Sequence, residues 1–118
     1  MLSKSRAEAF ARAWMLAWND RDIDRILSHY ADGVVFHSPR IALVMGNRAA
    51  SISGKAALRD YWTKALERSP ELFFELENVL TSSDAVTLLY TNHREELVAE
   101  TFLFDAQGEV RESVAAYR

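Results

Sequence analysis

The sequence predicts an α+β fold with helices first and a sheet after them, and three observations carry that prediction. Apolar residues recur at helical spacing near the start of the chain. The second half is a succession of β-branched and aromatic runs of strand length, and the breaks between those runs are short enough for hairpins. The chain has 118 residues, 49% hydrophobic and 26% charged. That composition supports a packed core, and residues 1–118 are expected to form a single domain. There is no cysteine, which excludes disulfides, thiolate metal sites and cysteine nucleophiles. Fourteen basic and 17 acidic residues leave a net charge of −3. Without a basic excess, no nucleic-acid partner is expected. The opening Met-Leu-Ser-Lys-Ser-Arg leads into a charged helix rather than a signal peptide, and no apolar run approaches the ~20 residues of a membrane span. The expected setting is cytoplasmic, away from membranes.

Ser5-Arg6-Ala7-Glu8 has capping-box spacing, so a first helix is expected from there to about Asn19-Asp20. Phe10, Trp14 and Trp18, four residues apart, with Ala7, Ala11 and Ala17 beside them, give it a broad apolar face. Asp22 can cap a second helix carrying Ile23, Ile26, Leu27 and Tyr30, stopped at Ala31-Asp32-Gly33. Val34–Ser38, bounded by Gly33 and Pro39, reads as a strand. In Arg40–Ile52 the apolar Ile41, Leu43, Val44 and Met45 argue against a solvated loop. A flap bending at Gly46, or an extra edge strand or short helix, is expected there. Ser53-Gly54 opens a helix that presents Leu58, Tyr61, Trp62, Ala65 and Leu66 on one face and closes at Ser69-Pro70.

Four strands follow, at Leu72–Leu80, Ala85–Asn92, Leu97–Phe104 and Glu109–Tyr117. Their short connections predict antiparallel hairpins and a curved, mostly antiparallel sheet with helices on one face. Val86, Leu88, Tyr90, Leu97 and Leu103 read as one apolar face, alternating with Leu89, Val98, Phe102 and Phe104. One face must meet the helices, so the other is expected to meet a second copy of the chain in a homodimer.

This order of elements resembles the nuclear transport factor 2-like superfamily. The stretches that carry the likeness are Tyr30-Ala31-Asp32-Gly33-Val34-Val35-Phe36-His37-Ser38-Pro39 and Ser53-Gly54-Lys55-Ala56-Ala57-Leu58-Arg59-Asp60-Tyr61-Trp62. The SnoaL-like and steroid Δ-isomerase branches are the most similar. The resemblance implies a cone-shaped barrel, its sheet wrapped around the N-terminal helices, with an apolar pocket at the wide end and dimers formed through the sheet. It implies no single activity, because the fold serves isomerases, dehydratases, cyclases and non-enzymes. Against the isomerase branch, Trp14 stands where a tyrosine is expected and Ser38 where an aspartate base is expected, while Glu100 falls at the second carboxyl position. A serine without an adjacent base does not abstract a proton from carbon at neutral pH, so the familiar steroid mechanism is not expected.

Glu100 is the candidate acid or base. Period-two alternation puts it on one face with Val98, Phe102 and Phe104. If that face lines the cone, burial raises the carboxyl pKa toward neutrality. Its cross-strand partners are expected among Thr87, Leu89 and Thr91, with no arginine or lysine within reach. Trp14 and Trp18 can each present an indole N–H, Trp14 being the expected polarising donor. Tyr30, Phe36, Ser38, Trp62, Leu89, Phe102 and Tyr117 complete the expected ligand-binding set. The three histidines lack metal-site spacing, so no metal or other cofactor is expected. The candidate function is binding of a small apolar or cyclic molecule, with cofactor-independent isomerisation, dehydration or cyclisation through Glu100. The alternative is a non-catalytic dimeric module that binds a ligand or partner.

Overall fold

The computed structural model describes residues 2–118. Helix α1 spans Lys4–Asn19, one turn's edge earlier than the capping box suggests. Its cap is Ser3, whose side chain accepts from the Arg6 backbone N–H. Ser5 lies inside the helix. Helix α2 is only Ile23–Leu27, capped by the Asp22 side chain. Tyr30 is not in it. Strand β1 runs Tyr30–His37, four residues earlier than Val34, because Tyr30 pairs in register with Val110 and that pairing outweighs the helical spacing of its side chain.

The segment after Pro39 supplies a short helix, α3 (Ile41–Met45), and a three-residue strand, β2 (Ser51–Ser53). Gly46 closes α3 in the left-handed region at φ 69°, a conformation that costs a glycine little. Helix α4 is Lys55–Arg68. Strands β3 (Glu75–Thr81), β4 (Ala85–Thr91), β5 (Leu97–Phe104) and β6 (Val110–Tyr117) follow.

The strands form one sheet in the order β2-β1-β6-β5-β4-β3. All neighbours are antiparallel except β1 and β6, which run parallel. The sheet curves around α1 but does not close, since β2 and β3 remain free edges. The fold is a cone rather than a completed barrel. Registers place Leu88 opposite Glu100 and Leu89 opposite Ala99, one residue from the expected pairing with Thr87, Leu89 or Thr91. Hydrophobic burial explains the difference. This register turns Val86, Leu88 and Tyr90 inward beside Val98, Glu100 and Phe102, all buried. A one-residue slip would bury Thr87 and Thr91 instead. The outer face keeps a Thr87–Thr101 hydroxyl hydrogen bond of 2.9 Å. Leu89, Leu97 and Leu103 also lie on that outer face.

Side chains also fix where α1 and α4 end. The Asn19 amide brackets the Phe74 backbone, donating to its carbonyl at 2.9 Å and accepting from its N–H at 2.7 Å. Arg21, at φ 58°, turns the chain and donates to the carbonyls of Leu66, Ser69 and Pro70 at the end of α4. The Arg21 bonds to Leu66 and Ser69 satisfy carbonyls that the end of α4 leaves unpaired. With the Asn19 bonds they also hold α1, α4 and the approach to β3 around one opening of the cone.

Candidate functional site

That opening is a cavity of about 220 Å³. Its floor comes from α1 and the sheet: Trp14, Trp18, Phe36, Tyr90, Glu100 and Tyr117. Tyr61, Trp62 and Ala65 of α4 form one wall, and Leu72 and Phe74 form another. Leu43 and Val44 of α3 close over the top, while Arg40, Arg68, Asn92, His93 and Arg94 also face it. The Arg40–Ile52 segment is therefore in part a cover. Arg68 holds the cover by donating to the Leu43 carbonyl at 3.1 Å.

The aromatic lining is continuous. The Trp14 ring stacks on Phe74 at 5.7 Å and 15°, Trp18 meets Trp62 edge-on at 5.2 Å, and Phe74 lies 4.6 Å from Tyr90. Such pairs prefer offset or edge-on geometry and each adds about 0.5–1.5 kcal/mol beyond area burial. The residues leave a gap because they pack against one another around the space rather than through it.

Glu100 is the one carboxyl in this lining, and only 4% of it is exposed. The Tyr90 hydroxyl donates to Glu100 Oε1 at 2.8 Å. Burial pushes the Glu100 pKa up to about 7, while the Tyr90 hydrogen bond pulls the other way. Desolvation wins because no cation offsets it. Arg40 does face the same cavity, contrary to the expectation of no arginine nearby, but its charge is committed elsewhere. It pairs with Glu96 at 2.6 Å and lies 4.1 Å over the Tyr117 ring. Burial also raises the pKa values of Tyr90, Tyr61 and Tyr117, so the tyrosine hydroxyls at this site keep their protons.

Of the expected site residues, Glu100, Trp14, Trp18, Phe36, Trp62 and Tyr117 come together at the cavity. Four others lie elsewhere. Tyr30 is fully buried behind Trp14 and accepts the Trp14 indole N–H at 3.0 Å. That bond also removes Trp14 as the polarising donor. Trp18 is the indole whose buried N–H has no partner. Ser38 is buried, and its hydroxyl accepts from the Arg40 backbone N–H at 3.1 Å. Phe102 packs beneath Trp14 and Phe10 rather than on the cavity. Leu89 points to the outer face because of the register described above. The sequence reading missed Tyr61, Phe74, Tyr90 and the polar group at His93 and Arg94. Tyr61 had a signal, since it shares the helical face of Trp62. The hairpin residues had none, because nothing local says which end of the cone a turn borders.

His29 is half-buried against Phe10 with ring centroids 5.3 Å apart. Its pKa is lowered by burial and by Arg25. His37 lies on the outer face, 2.8 Å from a Glu112 carboxylate oxygen. Among the described residues, no group of three His, Asp or Glu side chains converges as a metal site would require.

Residues 11–118 match the sequence pattern of the SnoaL-like domain. The chain belongs to the SnoaL-like family. A SnoaL-like protein of unknown function from Burkholderia thailandensis is 36% identical, with 100% of this chain and 99% of that one covered and a TM-score of 0.93. AclR, a candidate hydroxylase from Streptomyces galilaeus, is 19% identical over 98% of this chain and 91% of its own, with a TM-score of 0.76. A candidate polyketide cyclase from Sinorhizobium meliloti is 12% identical over 98% of this chain and 100% of its own, with a TM-score of 0.77. The last two are similar to this SnoaL-like domain in fold alone. No curated protein matches the chain. No helix among the described residues is long and apolar enough to cross a membrane.

Proposed function

We propose that the cavity binds a small, largely apolar cyclic molecule bearing a carbonyl, and that Glu100 moves a proton on it without a cofactor. One observation carries this reading: a carboxyl group, buried in an aromatic cavity and held by a single tyrosine, whose pKa is pushed to about 7. A group poised there exchanges its proton readily near neutral pH. As carboxylate, Glu100 takes a proton from carbon next to the ligand carbonyl, and the C–H electron pair moves onto the carbonyl oxygen as an enolate. Returned to another carbon, that proton completes an isomerisation. Attack of the enolate carbon on a second carbonyl forms the ring bond as that carbonyl's π pair moves to its oxygen, and the proton held by Glu100 passes to the alkoxide to complete a cyclisation. Tyr90 positions the carboxyl, and the unpartnered Trp18 indole N–H is one donor in a wall that also carries the Tyr61 and Tyr117 hydroxyls. The cavity exceeds the roughly 150 Å³ that accommodates a benzene, which fits one or two rings.

The test needs no natural substrate. Cyclic ketones of one and two rings are incubated in D2O, and deuterium entering next to the carbonyl is followed by NMR. The wild-type protein is expected to exchange at least one of them about 10²-fold faster than Glu100→Gln does. Equal rates in the two proteins overturn the catalytic reading and leave the binding module.

The outer face of the sheet supports a homodimer in either case. Val86, Leu88 and Tyr90, part of the expected contact, are core residues. In their place Leu80, Leu89, Leu97, Leu103 and Val114 share the outer side, with Leu80, Leu97 and Val114 substantially exposed. Covering such a face in a standard contact removes about 800 Å² per partner from water. Sedimentation equilibrium is expected to give twice the chain mass at micromolar concentration, and Leu97→Glu combined with Val114→Glu is expected to give the chain mass. A wild-type monomer overturns the dimer.

A further inference from the structure

The rim of the cavity carries a polar group that proton transfer at Glu100 does not use. In a chain of net charge −3, three arginines and a histidine face this one cavity, against a single carboxyl, Glu100. Two of the arginines are committed. Arg40 is paired with Glu96, and Arg68 holds the carbonyl ends of α3. Arg94 is not. Among the described residues its guanidinium has no ion pair and no hydrogen bond. His93 beside it is more unusual, because both ring nitrogens are buried without a hydrogen-bond partner. Glu71 lies 3.6 Å from His93 Nε2, too far for a hydrogen bond, and is itself largely exposed. A buried polar group left unpaired costs about 1–3 kcal/mol, a cost that a bound acceptor would offset.

The hairpin holding these two residues is firmly built. Asn92 Oδ1 accepts from the backbone N–H groups of Arg94 and Glu96 at 3.0 and 3.1 Å. Asn92 Nδ2 donates to the Glu96 carboxylate at 2.9 Å. Glu96, tied in turn to Arg40, fastens the hairpin to the start of α3. The turn therefore spends its own polar groups on its own shape and leaves the imidazole and the Arg94 guanidinium unspent. The backbone that carries both donors is held before binding, which limits the entropy lost when an acceptor arrives.

We propose that the ligand of this cavity is an acid: a one- or two-ring compound whose carboxylate is held at the rim by His93 and Arg94 while its rings lie against Trp14, Trp18 and Phe74. The inference rests on the reading that the cavity takes a small apolar molecule. An anionic end also sets direction. Glu100 on the cavity floor disfavours a second negative charge, so the carboxylate stays at the rim and the uncharged carbonyl end goes in.

Benzoate, cyclohexanecarboxylate and 2-naphthoate are titrated against their methyl esters by calorimetry, using the whole chain. At least one acid is expected to bind about tenfold more tightly than its ester, as charge-assisted bonds from two donors allow. Arg94→Gln and His93→Gln are each expected to remove most of that advantage while leaving ester affinity within about twofold, which also shows that the variants are folded. Equal binding of acids and esters overturns the inference but not the small-molecule reading. A preference for acids that survives both substitutions overturns the assignment to His93 and Arg94. Failure of every acid and every ester to bind overturns the small-molecule reading, and this inference with it.

Discussion

The wild-type protein is expected to lose stability between about pH 4.5 and 7, and Glu100→Gln is expected to flatten that pH dependence. The unfolded glutamate titrates at the ordinary value of 4.5, and the native one at about 7. Between those values the native state holds a proton that the unfolded state has lost, so stability falls as pH rises. The contribution is fully present below pH 4.5, is lost through the window, and stays lost above pH 7. The difference between the two pKa values corresponds to about 3 kcal/mol. Glutamine does not titrate and still offers Tyr90 an oxygen to bond. The variant should match the wild type in mild acid and exceed it above neutrality. His29 and Glu96 also carry shifted pKa values, so the quantity to read is the difference between the two proteins in urea unfolding across the pH range. Tyr90→Phe supplies an independent arm. It removes the one interaction that lowers the Glu100 pKa and should move the midpoint of the wild-type window upward. Parallel curves for wild type and Glu100→Gln would overturn the assignment of a buried, unpaired carboxyl.

The face of Glu100 was legible in the sequence because alternation along a single strand needs only local information. Val98, Glu100, Phe102 and Phe104 all point inward, as their spacing predicts. Which residues of β4 join them was not legible. The five residues 92–96 permit more than one register, and the deciding fact is not local: the register adopted buries Val86, Leu88 and Tyr90, with the Asn92 side chain bonding across the turn. The misplacement of Leu89 follows from that one missing fact. Tyr30 is a related case. Its spacing from Ile26 and Leu27 is helical, but a parallel partner 80 residues away, Val110, takes it into the sheet. The mouth of the cavity was the least legible part. Arg40 comes from the connection between β1 and α3 and His93 and Arg94 from the β4–β5 turn, and only the folded cone places those two connections at the same end.

Trp14→Ala should be among the most damaging single substitutions in the chain, since Trp14 belongs to both the core and the cavity. It is 1% exposed and touches the rings of Trp18, Phe74, Tyr90 and Phe102. Truncating a buried tryptophan to alanine costs about 3–5 kcal/mol through lost contacts and the cavity left behind. A further cost falls on Tyr30, whose buried hydroxyl loses the indole donor at 3.0 Å. Trp14→Phe separates the two effects. It keeps most of the ring contact and removes the donor, so its cost should centre on the orphaned hydroxyl, about 1–3 kcal/mol. Tyr30→Phe in that background removes the orphan and should recover part of the loss, giving a coupling of about 0.5–3 kcal/mol in the double-mutant cycle. Additive effects of Trp14→Phe and Tyr30→Phe in chemical unfolding would show that the indole–phenol bond contributes nothing. Trp14→Ala costing less than about 1 kcal/mol would be incompatible with a ring packed on four aromatic neighbours.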